Sequence, residues 1–161
     1  GQRGRIFMDQ ESGKRIFQIV RELDSAKNGI FRPIYEENGL TVIQARLLMT
    51  IRRQKIATVG TIAERLEMAC GNVSVLCKRL EKEELLFRER AAEDERIVRI
   101  HLTPKAQMLL QKIEKEVLEY YSAIWKEVSK EDLDSMIAGL EKLNTIIRKM
   151  QGINKKGRNK K

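Results

Sequence analysis

Residues 58–83 read TVGTIAERLEMACGNVSVLCKRLEKE, and their spacing decides the fold. Thr58 precedes a short apolar repeat, Ile62, Ala63 and Leu66, so its hydroxyl can cap a helix over Val59 to Leu66. Three residues, Glu67 to Ala69, lead to a second repeat in which Val73, Leu76, Cys77 and Leu80 recur at three- and four-residue intervals. That spacing gathers these four on one face of a helix from about Cys70 to Glu83 and turns Asn72, Ser74, Val75, Lys78 and Arg79 outward. Two short helices joined by a three-residue turn, the second presenting polar and basic groups, form a helix-turn-helix.

Working outward, the period changes after this pair. Leu85 to Arg90 reads as a strand, and Ile97 to Leu102 alternates Val98, Ile100 and Leu102, so the two predict a hairpin around Ala91 to Glu95. A hairpin directly after such a helix is a wing. Asp94 and Arg96 fall on one strand face, where the carboxylate can hold the guanidinium or merely pin the hairpin. Thr103 caps and Pro104 begins a helix whose Leu109, Leu110, Ile113, Val117, Tyr121, Ile124 and Val128 extend it to about Val128, or about 37 Å. Ser129 caps a last helix carrying Leu133, Met136, Ile137, Leu140, Leu143, Ile147 and Met150. Upstream, Thr41 caps a helix to about Gln54, and Met8 to Glu37 forms a long helix striped by Ile16, Ile19, Val20, Leu23, Ile30, Phe31 and Ile34. Gly29 and Pro33 predict a kink or break in it. Met8 also reads as a natural start.

The expected architecture is mainly α with a small β wing. Residues 1–38 form an N-terminal dimerisation helix, 39–103 the winged helix-turn-helix, 104–151 the C-terminal dimerisation helices, and 152–161 a flexible basic tail. The apolar stripes of the terminal helices exceed what the middle can cover, and a second copy of the chain is the simplest partner.

Composition narrows the function. The 161 residues carry a net charge of +9 and a pI near 9.7, which points to a polyanion. No run of about 18 apolar residues spans a membrane, and no apolar segment with a cleavage site marks a secretory start, so a cytoplasmic protein is expected. Two cysteines make no disulfide framework. They lie seven residues apart on one helix, about 10.5 Å along its axis and beyond the roughly 7 Å limit for bridging. A single histidine, His101, makes histidine-based catalysis and most zinc sites hard to build, and no phosphate-binding glycine loop occurs. No cofactor, metal or catalytic residue is therefore expected.

The ordered set Leu40-Thr41, Thr58 to Leu66, Gly71-Asn72-Val73-Ser74, Arg79-Leu80-Glu81-Lys82, Asp94-Glu95-Arg96 and Leu102-Thr103-Pro104-Lys105 resembles the MarR family of winged-helix regulators over roughly Leu40 to Lys112. The resemblance implies a homodimer that binds a pseudo-palindromic operator in double-stranded DNA, each lobe placing its fourth helix in a major groove and its wing over the adjacent minor groove. It gives Arg96 the minor groove. Asn72, Ser74, Lys78 and Arg79 then face bases or phosphates, Val75 a thymine methyl, and Arg88 and Arg90 phosphates. The resemblance further implies a repressor released by a small aromatic effector, whose pocket between the first, second and fifth helices would take Arg15, Tyr35 and Arg46. Cys70 at a helix start is the candidate for oxidant sensing. Glu83-Glu84-Leu85 stands where Lys-Gly-Leu is usual, so either the fourth helix gains a turn or Glu84 is strained. The alternative is a winged helix that contacts proteins, or one that binds DNA without sequence preference.

Overall fold

The computed structural model describes the backbone of residues 10–158 and the side chains through Ile153. Threonines set the helix starts as their positions predict. Thr41 caps α2 (Val42–Arg53) in a reciprocal box: its hydroxyl accepts from the Gln44 N–H at 3.2 Å while its own N–H donates to Gln44 Oε1 at 2.9 Å. Thr58 and Thr61 repeat the arrangement at the head of α3 (Val59–Leu66). The Thr61 hydroxyl then donates to Gln54 Oε1 at 2.8 Å, and Gln54 Nε2 donates back to the Thr61 carbonyl, which locks the connection between these helices.

Ahead of them, α1 (Gln10–Glu37) runs unbroken with Pro33 inside it, so of the kink or break expected at Gly29 and Pro33 the break does not occur. The carbonyl that the Pro33 ring would crowd belongs to Gly29, four residues earlier, where no side chain adds to the clash. α1 ends at Gly39, whose φ of 74° lets the Leu40 N–H reach the Tyr35 carbonyl at 2.9 Å. α4 (Cys70–Lys82) leads to β1 (Leu86–Arg90), which pairs antiparallel with β2 (Val98–Leu102) in the register Leu86 to Leu102 and Arg90 to Val98. Ile100 N–H donates to the Ala57 carbonyl at 2.8 Å, so the segment before α3 flanks the wing. Leu47, Leu48, Ile62, Val73, Cys77, Leu80, Leu86, Ile100 and Leu110 form a dry centre to which each of α2 to α5 and both strands contribute.

Two boundaries differ downstream. α5 (Pro104–Tyr120) ends eight residues before the expected Val128, and α6 (Ser122–Lys126) follows as a separate turn. The joint is Tyr121, at φ −99° and ψ 10°, whose ring stands edge-on to that of Tyr120 with centroids 4.9 Å apart. An apolar stripe continues through both helices, so periodicity alone conceals the joint. α7 (Lys130–Arg158) starts where Ser129 Oγ accepts from the Asp132 N–H at 3.0 Å, but its backbone stays helical through residues 152–158 instead of leaving as a tail. No proline follows Gly152, so no residue there lacks the N–H that the helix needs. The expected tail's last three residues, like residues 1–9 and the Met8 start, lie outside the described residues. The chain divides into two units, residues 1–117 and 118–161. In the first, α1 exposes Ile16, Phe17, Ile19, Leu23 and Ile30; in the second, Ile124, Trp125, Met136, Ile137 and Leu140 are exposed.

Candidate nucleic-acid interface

α4 is seated by Val73, Cys77 and Leu80, all fully buried, and this fixes which face it presents. Asn72, Val75, Lys78 and Arg79 are exposed on the opposite side, with Val75 at 66% the most open apolar group there, and Ser74 is half-buried beside them. Arg79 Nε lies 3.5 Å from Glu83 Oε1 one turn on. Cys70 is exposed in the first turn, where Ala69 supplies no side-chain cap. Cys77 is enclosed, and burial pushes its thiol pKa up against the opposing pull of Arg88.

The exit from α4 decides between the two readings of Glu83-Glu84-Leu85. The helix stops at Lys82 and Glu84 takes the left-handed conformation at φ 58°, so the strained alternative holds. Glu84 N–H bonds to the Glu81 carbonyl at 3.0 Å and Leu85 N–H to the Leu80 carbonyl at 2.9 Å, the pattern usually closed by glycine. Glu67, at φ 55°, ends α3 in the same way, a second left-handed glutamate that sequence reading missed. The carbonyls beyond α4 are claimed by the start of α5. Thr103 Oγ1 donates to the Glu84 carbonyl at 2.7 Å and accepts from the Ala106 N–H, while Lys105 Nζ donates to the Glu83 carbonyl at 2.9 Å. The run Leu102-Thr103-Pro104-Lys105 is thus a clamp on the joint between helix and wing.

At the wing tip, Asp94 and Arg96 lie in the turn between the strands, not along a strand face as the alternation suggested. Asp94 Oδ1 accepts from both the N–H and the Nε of Arg96, at 3.0 and 3.1 Å, and Oδ2 from Nη2 at 3.3 Å. A carboxylate that bonds the backbone two residues on forms its own turn, which pulls this pair out of the ladder. The Arg96 guanidinium and N–H hold the Asp94 carboxyl below the usual range, yet the Arg96 side chain is 91% exposed. The carboxylate orients the cation without hiding it. Arg90 is also exposed, with Nη1 on the Glu95 carbonyl at 3.2 Å.

Arg88 behaves differently. It shares the inward strand face with Leu86, lies 3.4 Å from Glu81 on α4 and is only 27% exposed, so it braces the wing against α4. Its two buried guanidinium nitrogens, Nε and Nη2, lack hydrogen-bond partners. The outward face carries Phe87 stacked on His101 with centroids 5.1 Å apart, and His101 Nε2 lies 3.0 Å from Glu89. Among the described residues no cluster of His, Cys, Asp or Glu could hold a metal, and no helix is long and apolar enough to cross a membrane.

The three residues expected to line one effector pocket are not brought together. Arg15 and Tyr35 sit 20 positions apart on unbroken α1, about 30 Å along its axis. Arg15 and Arg46 are exposed, whereas Tyr35 is buried and desolvation raises its pKa. A shallow, open cleft in the first unit, about 640 Å³, is lined instead by residues of the α1–α2 corner, the α4–β1 joint and α5.

Residues 29–113 match the family described as "Transcriptional regulator SarA/Rot". The chain belongs to this family. The match spans α2 to β2 and most of α5, so the SarA/Rot assignment rests on the helix-turn-helix and wing described above. This SarA/Rot-family chain is 30% identical over 82 residues to the organic hydroperoxide resistance transcriptional regulator of Bacillus subtilis, covering 51% of the chain and 56% of that relative. It spans between about half and two thirds of the length of the curated relatives it matches. A MarR-family protein from Bacillus stearothermophilus shares its fold at a TM-score of 0.76 and 21% identity, covering 88% of the chain and 99% of that structure. A point mutant of Staphylococcus aureus MepR, solved bound to an oligodeoxyribonucleotide, follows at a TM-score of 0.57 and 24% identity, covering 83% and 96%. The MarR-type winged-helix fold expected from the motifs is the fold observed.

Proposed function

We propose that this regulator binds a pseudo-palindromic operator in double-stranded DNA as a homodimer and acts as a cytoplasmic repressor. The observation that carries the reading is the wing tip: a fully presented Arg96, oriented by a three-bond clamp from Asp94, beside a recognition helix whose outward residues are polar, basic or Val75. A cation held out of the fold at a fixed angle contributes nothing to packing and suits a groove lined by phosphates. Lys78, Arg79 and Arg90 then contact phosphates or guanine edges, while Asn72 and Ser74 contact bases near the helix start. Binding of the MepR mutant to an oligodeoxyribonucleotide is consistent with this use of the fold. Dimerisation is supported by the apolar residues left open on α1 and, separately, on α6 and α7.

Selection of the bound sequence from random duplexes, followed by titration at fixed salt, tests the reading. A recovered inverted repeat and a loss of about 1–3 kcal/mol in Arg96→Ala are expected. General coverage of all sequences, or unchanged affinity in that variant, overturns it. Light scattering of Ile19→Glu/Leu23→Glu against the wild type tests the dimer, and an unchanged mass would remove α1 from the interface.

A further inference from the structure

A separate cavity of about 250 Å³ opens where the end of α2, the segment before α3, β2 and α5 meet. Its volume falls below the roughly 300–1,000 Å³ of sites for larger organic ligands, so a small ion suits it better. Buried Ile51 and Ile100 close its back. Four basic side chains reach its wall from three places: Arg52 from the last turn of α2, Lys55 from the connection to α3, and Arg99 and His101 from β2. The pleat explains the last pair, since residues two apart on a strand share a face. The bond from the Ile100 N–H to the Ala57 carbonyl, at 2.8 Å, brings the connection alongside that strand. No aspartate or glutamate lines the cavity.

These cations keep donors in reserve. Arg52 bonds Glu114, Arg99 Nη2 bonds Glu93, and His101 Nε2 lies 3.0 Å from Glu89, but none of the three carboxylates belongs to the cavity wall. Arg99 Nε and His101 Nε2 are nevertheless buried atoms without a hydrogen-bond partner. A guanidinium nitrogen can only donate, so Arg99 Nε lacks an acceptor, which is costly for a buried charged group. Lys55 stands outside these pairs and is exposed at the rim.

We propose that this cavity binds a phosphate group, free or as a small monoester, and that the bound group ties the wing sheet to the end of α2. A tetrahedral oxyanion presents acceptors in several directions at once, as donors arriving from a helix end, a connection and a strand require. The two guanidinium forks match its oxygens, Lys55 adds a mobile point charge, and Arg99 Nε gains the acceptor it lacks. No residue of α4 or of the wing tip lines the cavity, so the site is independent of the DNA assignment.

The test titrates inorganic phosphate into the full chain at constant pH and ionic strength, with chloride as the balancing anion. Amide shifts should saturate and centre on residues 52–57 and 99–102, and Tm should rise with phosphate concentration by mass action. Lys55→Met/Arg99→Met should raise the dissociation constant about tenfold, and Lys78→Met on α4 should not change it. Lys55→Met alone, a change at an exposed position that leaves the fold intact, should raise it about threefold. Glycerol 3-phosphate as a second probe decides the source: saturation at the same residues extends the site to monoesters, and saturation by inorganic phosphate alone restricts it to the free ion. Shifts that do not saturate, that centre elsewhere or that chloride reproduces would overturn the proposal, as would wild-type phosphate affinity in Lys55→Met.

Discussion

Replacing Glu84 by glycine should stabilise the protein although it removes a side chain and an ion pair. A non-glycine residue in the left-handed region costs about 1–2 kcal/mol, and Glu84 sits there at φ 58°. Glycine returns about 0.5–1 kcal/mol of that through the extra freedom of the unfolded chain. The Lys105 to Glu84 pair, with side chains 61% and 84% exposed and 3.9 Å apart, contributes a few tenths at most. The hydrogen bonds that close the turn are all main-chain and survive the change. The net is a gain of about 0.5–1 kcal/mol, or about 1–4 °C in Tm for a chain of this size. Urea unfolding at one fixed protein concentration would measure it, with Glu84→Ala as the control that keeps the strain and loses only the charge. Gly39→Ala should move the opposite way by about 1 kcal/mol, because its φ is 74° and an added Cβ meets no atom within 4 Å, so backbone strain is its whole cost. Equal stability of the glycine and alanine variants at position 84 would refute the strain argument.

The Asp94 carboxyl should titrate below the ordinary aspartate value in the folded protein, so its clamp on Arg96 is complete above the unfolded pKa near 3.9 and is lost as pH falls through the lower folded value. Carbon-detected NMR of that carboxyl should show the depression and its reduction in Arg96→Ala, where the guanidinium is gone and only the backbone N–H of residue 96 remains. Cys70 should react with a thiol reagent in the native state and Cys77 only on unfolding, and Cys77→Ser should cost about 1–3 kcal/mol by setting a hydroxyl in an apolar site. Arg90→Ala should reduce the slope of log affinity against log salt by about 0.9 per lobe, whereas Arg88→Ala, whose guanidinium faces Glu81, should leave that slope unchanged and lower stability.

The helix-turn-helix was legible because its signals are local. Thr58 and Thr61 bond to each other across one turn, and Val73, Cys77 and Leu80 bury one face whatever surrounds them. The alternation of Val98, Ile100 and Leu102 gave the second strand for the same reason. What escaped was set by tertiary contact or by one residue's dihedral angles. The joint at Tyr121 lies inside a continuous apolar stripe, and the bracing of Arg88 depends on Glu81 standing across from it on α4. The left-handed Glu67 carried no signal, since glutamate is an ordinary helix former and only the partners of its neighbours reveal the turn. Arg15, Tyr35 and Arg46 were chosen by chemistry without distance, and an unbroken α1 separates the first two.

The winged segment, residues 58–102, carries 8 basic and 9 acidic side chains, which sits badly with a polyanion until the pairings are followed. Glu81 faces Arg88, Glu83 faces Arg79, Glu93 bonds Arg99, Glu89 lies beside His101 and Asp94 holds Arg96. These acids do different work. Glu81 and Glu93 meet arginines that are 27% and 30% exposed and hold the wing together, whereas Asp94 grips an arginine that stays open to solvent. Five of the nine acids are thus engaged in orientation, and the cations left outward are Arg65 on α3, Lys78, Arg79 and Lys82 on α4, Arg90 at the end of β1 and Arg96 in the loop. Few cations in fixed places favour discrimination over bulk attraction, because each mismatch in position is not compensated by a neighbouring charge. On this account the net charge of +9, carried largely outside the winged segment, adds affinity for any nucleic acid, and the choice of sequence rests with a segment that is close to neutral.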